Sequence, residues 1–173
     1  MKLFLTGYMG SGKSRTGIEL ARQLSLTFVD LDEQIVQMQG KEISEIFDEK
    51  GELFFRKLET EVLKDVLEEG GSLVIALGGG TPCYGNNLDL IKQDGNSRTI
   101  YLKASVDYLT ERLFLEKDSR PVISHLDQKE DLEDFIRKHL FERSYYYLQA
   151  DHIVNVEGKT PESIAAEIIK ILQ

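Results

Sequence analysis

Five short apolar runs alternate along this chain with longer segments whose apolar residues recur at helical spacing. The runs cover residues 2–6, 27–31, 72–77, 98–102 and 152–156. Runs of this length are typical of buried strands, and strands that alternate with helices form a parallel sheet. The pattern therefore predicts an α/β fold whose strands are joined by helices.

The chain between these runs carries residues that mark element ends. Gly70-Gly71 precedes the third run, and Asp94-Gly95-Asn96 precedes the fourth. Thr160-Pro161-Glu162 predicts the start of the last helix, with Thr160 as N-cap and Pro161 at the first helical position. Neither an internal repeat nor a linker interrupts the sequence, so we expect one domain over residues 1–173.

The first predicted strand leads into Gly7-Tyr8-Met9-Gly10-Ser11-Gly12-Lys13-Ser14, which matches G-x-x-x-x-G-K-[ST], the phosphate-binding P-loop pattern. The segment from Ser14 to Leu24 follows with helical spacing, so the motif stands between a strand and a helix. Backbone N–H groups of such a loop form an anion-binding nest. Lys13 would reach the β- and γ-phosphates, and the Ser14 hydroxyl would bind Mg²⁺. The alternative is a chance match, but its context favours a nucleotide site.

Two aspartates, Asp30 and Asp32, follow the second predicted strand. On an extended chain, residues two apart point to the same side, so both carboxylates would share one face at the strand's carboxyl end. Ligands bind at this end of open α/β sheets. The alternative for Asp32 is the N-cap of a helix that begins near Glu33. A pair of carboxylates beside a P-loop favours magnesium or hydroxyl chemistry.

Three further features are candidate parts of a substrate site. Arg56 lies on a charge-rich helical arm and could instead pair with Glu52 or Glu59 at helical spacing. Gly78-Gly79-Gly80 follows the third strand and would allow close backbone approach to a ligand, although three glycines could also form a plain turn. Arg120 lies in residues 115–128, a polar connection that is typical of a mobile lid or of an ordinary surface loop.

Composition limits the possible partners. The 173 residues carry a formal net charge of −9, which argues against nucleic-acid binding and requires that cations converge locally if anions are bound. A single cysteine, Cys83, excludes an intrachain disulfide and fits a reducing compartment. No long apolar run suggests a membrane span or a signal peptide, so the expected location is the cytoplasm. We also expect a monomer.

Taken together, these elements resemble the shikimate kinases, over nearly the whole chain. The resemblance is carried by the P-loop together with Asp30-x-Asp32, Phe55-Arg56-x-x-Glu59, Leu77-Gly78-Gly79-Gly80, Arg120-Pro121, and Arg143 followed by Tyr145. It implies a P-loop nucleoside monophosphate kinase-like three-layer sandwich, with a five-stranded parallel sheet of order 2-3-1-4-5 and helices on both faces. It also implies a substrate-binding arm over residues 32–70 and a lid over residues 115–128.

The activity implied by the resemblance is transfer of the γ-phosphoryl group of ATP to the 3-hydroxyl of shikimate, a step of aromatic amino-acid biosynthesis. Asp32 would hold the ring hydroxyls and act as base or orienter, and Ser14 and Asp30 would hold Mg²⁺. Arg120 would close onto the transferred group, and Arg112 would stack on adenine. The implied nucleotide-binding residues are Gly10, Ser11, Gly12, Lys13, Ser14, Arg15, Arg112 and Arg120, and the implied shikimate-binding residues are Asp32, Arg56, Gly78, Gly79, Gly80 and Arg143; Lys13, Asp32 and Arg120 would be catalytic.

The sequence departs from the family pattern at three places. Arg15 stands where the family usually has threonine, Val122-Ile123 replaces two leucines, and the spacing from Arg112 to Arg120 is one residue longer than in some relatives. Another small-metabolite kinase of this fold, such as a gluconate kinase, is the alternative within enzymes. A nucleoside monophosphate kinase, a GTPase-like switch or an inactive binding module would require signatures that the sequence does not display.

Overall fold

The fold is described from a computed structural model, which covers residues 1–117, 120 and 122–173. Pro121, which formed part of the predicted Arg120-Pro121 motif, lies outside the described residues, as do residues 118 and 119 of the predicted lid. The described residues form five strands, namely β1 (Lys2–Thr6), β2 (Thr27–Asp30), β3 (Leu73–Ala76), β4 (Ser97–Lys103) and β5 (His152–Asn155).

Helices connect these strands. The described residues form seven α-helices: α1 (Lys13–Leu24), α2 (Leu31–Gln39), α3 (Ile43–Glu68), α4 (Asn87–Gln93), α5 (Val106–Glu116), α6 (Lys129–Tyr147) and α7 (Pro161–Leu172), with a short 3₁₀ helix at Thr81–Cys83. Thr160 caps α7 by accepting a hydrogen bond from the Ser163 N–H, and Pro161 is the first helical residue, as predicted. Helix α3 is interrupted at Gly51, whose φ of 81° and ψ of 168° are not helical.

The sheet is parallel throughout, and its strands lie in the order β2-β3-β1-β4-β5. The predicted fold class and strand order are therefore confirmed. Strand β1 is central and buried on both faces: Leu3 and Leu5 pack in one apolar cluster and Phe4 in the other. Strands covered on both faces are continuously apolar in sequence, which explains why the hydrophobic runs located them.

The second strand is one residue shorter than predicted. It ends at Asp30, and α2 begins at Leu31 rather than near Glu33. The Asp30 carboxylate accepts hydrogen bonds from the backbone N–H groups of Asp32 and Glu33, at 3.1 and 3.4 Å. Asp30 is thus the N-cap of α2 and Asp32 lies in its first turn, so the argument that both aspartates share one face of a strand was wrong.

Among the described residues, no helix has the length and apolar character that crossing a membrane requires.

Candidate active site

The P-loop connects β1 to α1 at the carboxyl end of the central strand. Gly10 and Gly12 have φ values of 80° and 90°, a left-handed conformation that glycine adopts without strain. Gly12 is the N-cap of α1 and supplies no side chain to its first turn. The N–H groups at this helix terminus can therefore donate to an anion.

Lys13 lies at the centre of the loop. Its ammonium group donates to the carbonyl oxygens of Gly7 and Tyr8, at 2.9 and 3.1 Å. Burial lowers the pKa of Lys13 to about 8, although the carboxylates of Asp32 and Asp30 favour its charged form. An additional anion nearby would strongly stabilise the charged form of a buried ammonium group of this kind.

Ser14 and Asp30 come from different elements and meet in the cleft. The Ser14 hydroxyl donates to Asp30 Oδ2 at 2.6 Å. A hydroxyl and a carboxylate are hard oxygen ligands of the kind that Mg²⁺ prefers, and Mg²⁺ commonly takes only one or two protein ligands beside phosphate and water. The two side chains therefore fit the predicted magnesium site.

Asp32 enters the same cleft from the first turn of α2. The pKa of its carboxyl is raised to about 6, chiefly by burial and also by the nearby carboxylates of Asp30 and Glu59, while Lys13 and Arg56 act to lower it. Although the strand argument was wrong, Asp32 does lie beside Asp30 and Lys13 in one cavity. A carboxylate so placed can accept a hydrogen bond from a substrate hydroxyl.

Arg56 projects from α3 towards Gly78-Gly79-Gly80, which form the glycine loop after β3. Its guanidinium pairs with both Glu52 and Glu59, at 3.2 and 3.4 Å, and stacks 3.7 Å from the centre of the Tyr84 ring. The ion pairs that the sequence suggested, with glutamates three and four residues away on the same helix, are thus present. The planar guanidinium of Arg56 lies beside Gly80, and its side chain is only 18% exposed.

The glycine loop packs closely against neighbouring side chains at two of its three positions. A Cβ at Gly78 would lie 2.7 Å from Asp32 Oδ1, and a Cβ at Gly80 would lie 3.0 Å from Arg56 Nη1. Gly79 is less tight, since its Cβ would approach Arg143 Nη1 only to 3.6 Å. The loop therefore brings backbone to the point where Asp32, Arg56 and Arg143 converge, as the hypothesis of a substrate-facing loop requires.

Arg143 reaches this point from α6, with its guanidinium 5.8 Å from the centre of the Tyr8 ring. Burial opposes the charge of Arg143, but neighbouring Tyr147 and Tyr8 outweigh burial and raise its pKa. The Tyr147 hydroxyl in turn donates to the Gly79 carbonyl. These contacts tie α6 to the glycine loop and to the P-loop.

Arg112 and Arg120 line the opposite side of the cleft, and Glu116 lies between them on α5. Arg120 Nη2 lies 2.7 Å from Glu116 Oε2, and Arg112 Nε lies 3.6 Å from Glu116 Oε1. Side chains of all three residues are one quarter to one third exposed, so these ion pairs are weak and can exchange with a ligand.

Two adjoining cavities surround the P-loop. One, of about 280 Å³, contains the predicted phosphate, magnesium and catalytic residues; the other, of about 450 Å³, extends along α5 towards α7. The lining of the smaller cavity includes Met9, Gly10, Gly12, Lys13, Ser14, Arg15, Asp30, Asp32, Leu77, Gly79, Arg112, Glu116 and Arg120. The larger one shares Gly12, Arg15, Arg112 and Glu116 and adds Ser11 and Tyr108, among others.

Sequence reasoning named Glu59 as a possible ion-pair partner of Arg56 and assigned no role to Tyr147 or Glu116. Glu59 is 1% exposed and accepts hydrogen bonds from both Arg56 and the Thr81 hydroxyl. Helical spacing could also have pointed to Glu116 and Tyr147, because they lie four residues from Arg120 and Arg143 respectively. Helical spacing could not identify partners on other elements, namely Thr81 for Glu59 and Gly79 for Tyr147.

Comparison with known proteins places the whole chain in one group. The sequence model of the family described as "Shikimate kinase" matches residues 9–173. A shikimate kinase of Flavobacterium psychrophilum is 43% identical, over 99% of this chain and 98% of the relative. The crystal structure of a shikimate kinase from Bacteroides thetaiotaomicron superposes with a TM-score of 0.91 at 36% identity, covering 99% of this chain and 98% of the other.

A second solved structure, shikimate kinase from Acinetobacter baumannii in complex with shikimate, has a TM-score of 0.87 at 30% identity and covers 99% of this chain and 92% of the other. The similarity extends over the P-loop, the helical arm, the glycine loop and α6, so every part of the site lies within it. Because sequence and fold both agree over nearly the whole chain, the chain belongs to the shikimate kinase family.

Proposed function

We propose that this protein transfers the γ-phosphoryl group of ATP to the 3-hydroxyl of shikimate, giving shikimate 3-phosphate and ADP. The observation that supports this most is the joining of two sets of groups in one cleft. Phosphate-binding groups of the P-loop lie on one side, and the other side presents Asp32, Arg56, Arg143 and the glycine loop. The second set suits a small molecule with both hydroxyls and a carboxylate.

The nucleotide would occupy the two adjoining cavities. Its phosphates would accept hydrogen bonds from the N–H groups of Gly10 to Ser14 and from Lys13, while Arg15 and Arg112, which line both cavities, would follow the nucleoside. Arg112 would stack on adenine, because a guanidinium plane suits an aromatic face. Lys13 would exchange its two backbone carbonyl partners for phosphate oxygens.

Ser14 and Asp30 would hold Mg²⁺, which neutralises charge on the β- and γ-phosphates. The chain's own residues then orient the reactants. Asp32 accepts a hydrogen bond from the attacking hydroxyl and orients it or takes its proton. The forked guanidinium groups of Arg56 and Arg143 grip the substrate carboxylate, and Gly79 and Gly80 donate backbone hydrogen bonds to the substrate.

Arg120 would complete the site from the lid. Its partner Glu116 holds it beside the phosphate cavity, and one guanidinium atom, Nε, is buried without a hydrogen-bond partner among the described residues. A guanidinium placed there can meet the charge that spreads over the γ-phosphoryl oxygens during transfer. We propose that Arg120 acts on the transition state more than on ground-state binding. We further propose that the protein works as a monomer in the cytoplasm.

A panel of acceptors tests the proposal against the alternative of another small-metabolite kinase. ATP-dependent phosphoryl transfer is measured with shikimate, gluconate and nucleoside monophosphates at equal concentrations, with and without Mg²⁺. We expect turnover with shikimate alone and its loss on removal of Mg²⁺ by chelation. Preferential turnover of gluconate or a nucleoside monophosphate would overturn the proposal.

A further inference from the structure

Tyr147 lies at the end of α6, one helical turn beyond Arg143. Its side chain has no exposed surface, and its ring stacks on Tyr101 of β4 with centroids 5.1 Å apart and planes inclined by 30°. Burial raises the pKa of Tyr147 well above its ordinary value, so the hydroxyl keeps its proton at neutral pH. A buried phenol is costly unless its hydroxyl has a partner.

That partner is the backbone of the glycine loop. The Tyr147 hydroxyl donates to the carbonyl oxygen of Gly79 at 2.5 Å, across 68 positions of sequence. Gly79 and Gly80 carry no side chains that could hold the loop, and glycine has more backbone freedom than any other residue. Within this segment the N–H groups of Thr81 and Cys83 donate to the carbonyl oxygens of Gly78 and Gly80. The Gly79 carbonyl accepts instead from Tyr147 on another element, so this contact fixes the orientation of the peptide between Gly79 and Gly80.

The planarity of the peptide group turns this contact into a directional constraint. The C=O of Gly79 and the N–H of Gly80 belong to one peptide plane and point in opposite directions in its trans form. Because Tyr147 fixes the carbonyl on its own side, the Gly80 N–H is directed to the other side. Arg56 and Tyr84 lie close to Gly80, at 3.0 and 3.1 Å from the position of a Gly80 Cβ.

The same residue also bears on Arg143. Tyr147 and Arg143 are four positions apart on α6, and their interaction contributes to the raised pKa of the guanidinium. Arg143 Nη1 in turn lies 3.6 Å from the position of a Gly79 Cβ. The Tyr147 hydroxyl thus contacts Gly79, and Gly79 adjoins Arg143, on the side of the cleft where the proposed function puts the substrate carboxylate.

We infer that Tyr147 is a positioning residue for the acceptor substrate, which holds the Gly79–Gly80 peptide and Arg143 in the orientation that receives a carboxylate. Tyr147 acts through these two groups and does not touch the substrate. The inference rests on the proposed function, since it assumes that the glycine loop and Arg143 bind shikimate. It predicts a defect mainly in acceptor binding, because the Tyr147 hydroxyl bonds to the glycine loop and Tyr147 itself lines neither cavity.

Tyr147→Phe removes the hydroxyl and keeps the ring on Tyr101. We expect the KM for shikimate to rise about fivefold, the effect of losing one neutral hydrogen bond. Dissociation of ATP, measured without acceptor, should change less than about twofold. The Gly80 amide should shift in the ¹⁵N–¹H NMR spectrum and exchange faster with solvent. Tyr146→Phe is the matched control, because Tyr146 is the adjacent, half-buried tyrosine that packs edge-on against Tyr145.

The outcomes separate positioning from a merely structural role. A Tyr147→Phe protein with lower thermal stability but unchanged shikimate KM and an unshifted Gly80 amide would overturn the inference. If the variant does not fold, a second variant, Tyr101→Leu, removes the aromatic ring on which Tyr147 stacks and keeps the Tyr147 hydroxyl. It should then raise the shikimate KM, and an unchanged KM would likewise overturn the inference. If the wild-type protein fails to phosphorylate shikimate, the proposed function fails, whereas the Gly80 amide still reports whether Tyr147 orients the loop.

Discussion

Replacing Arg56 by lysine should weaken the binding of shikimate far more than the binding of ATP. Lysine keeps the positive charge but lacks the planar fork that binds both oxygens of a carboxylate. It also keeps a cation beside Glu59, whose carboxylate is 1% exposed and would be left uncompensated by alanine. The substitution therefore tests recognition of the substrate with the smallest disturbance of the fold.

The magnitude follows from the contacts of Arg56. Losing one charged hydrogen bond to the substrate costs about 1.5–3 kcal/mol, which raises the KM about 10- to 150-fold. The stack of the guanidinium on Tyr84, at 3.7 Å, orients the fork, so its loss shifts the effect towards the upper end. The pair with Glu52, whose side chain is 56% exposed, adds little to stability.

The assay varies shikimate at saturating ATP, and ATP at saturating shikimate. Arg137→Lys is the matched control, since Arg137 forms an exposed ion pair with Glu133 at the same helical spacing and lines neither cavity. We expect the control to behave as the wild type. An unchanged shikimate KM in the Arg56→Lys protein would mean that Arg56 only forms ion pairs on the helix and does not bind the substrate.

Four other substitutions test separate parts of the structure. Lys13→Ala should lower kcat well over tenfold, because the cation on the β- and γ-phosphates is lost; a smaller loss would contradict that role. Asp32→Asn should remove most activity and leave ATP affinity nearly intact; the reverse pattern would exchange the proposed roles of Asp32 and Asp30. Arg120→Ala should reduce kcat by a factor on the order of 10³ with little change in either KM, whereas a normal kcat with a raised KM for ATP would make it a ground-state clamp. Gly17→Ala should lower the free energy of unfolding by about 1–3 kcal/mol in a denaturant titration, since its Cβ would lie 2.3 Å from Phe28; an unchanged value would show that the ring moves aside freely.

The fold was predictable from the sequence because its signals are local and strong. Strand β1 packs against both apolar clusters, so its sequence is continuously hydrophobic and marks the centre of the sheet. The strand order required more than this pattern, since apolar runs do not say which strands are neighbours. It came from the resemblance to a family whose motifs occur in the same sequence order.

Details of the site were less predictable where two local structures compete. Asp30 could continue a strand or cap a helix, and hydrogen bonds to the N–H groups of Asp32 and Glu33 decide for the cap. The two aspartates reach one cavity by the turn of the chain rather than by strand alternation. Their chemistry was inferred from residue type, but the geometry behind that inference required coordinates.

A chain with a net charge of −9 can bind polyphosphate only through groups that act locally in the cleft. The smaller cavity is lined by the cations Lys13, Arg15, Arg112 and Arg120 and by the carboxylates of Asp30, Asp32 and Glu116, a formal excess of one positive charge. So small an excess exerts little long-range attraction. Binding must therefore come from directed contacts, such as the N–H groups of the P-loop and arginines that exchange Glu116 for phosphate. Such contacts discriminate by geometry, which favours a polyphosphate at one end of the cleft and a separate, carboxylate-bearing acceptor at the other.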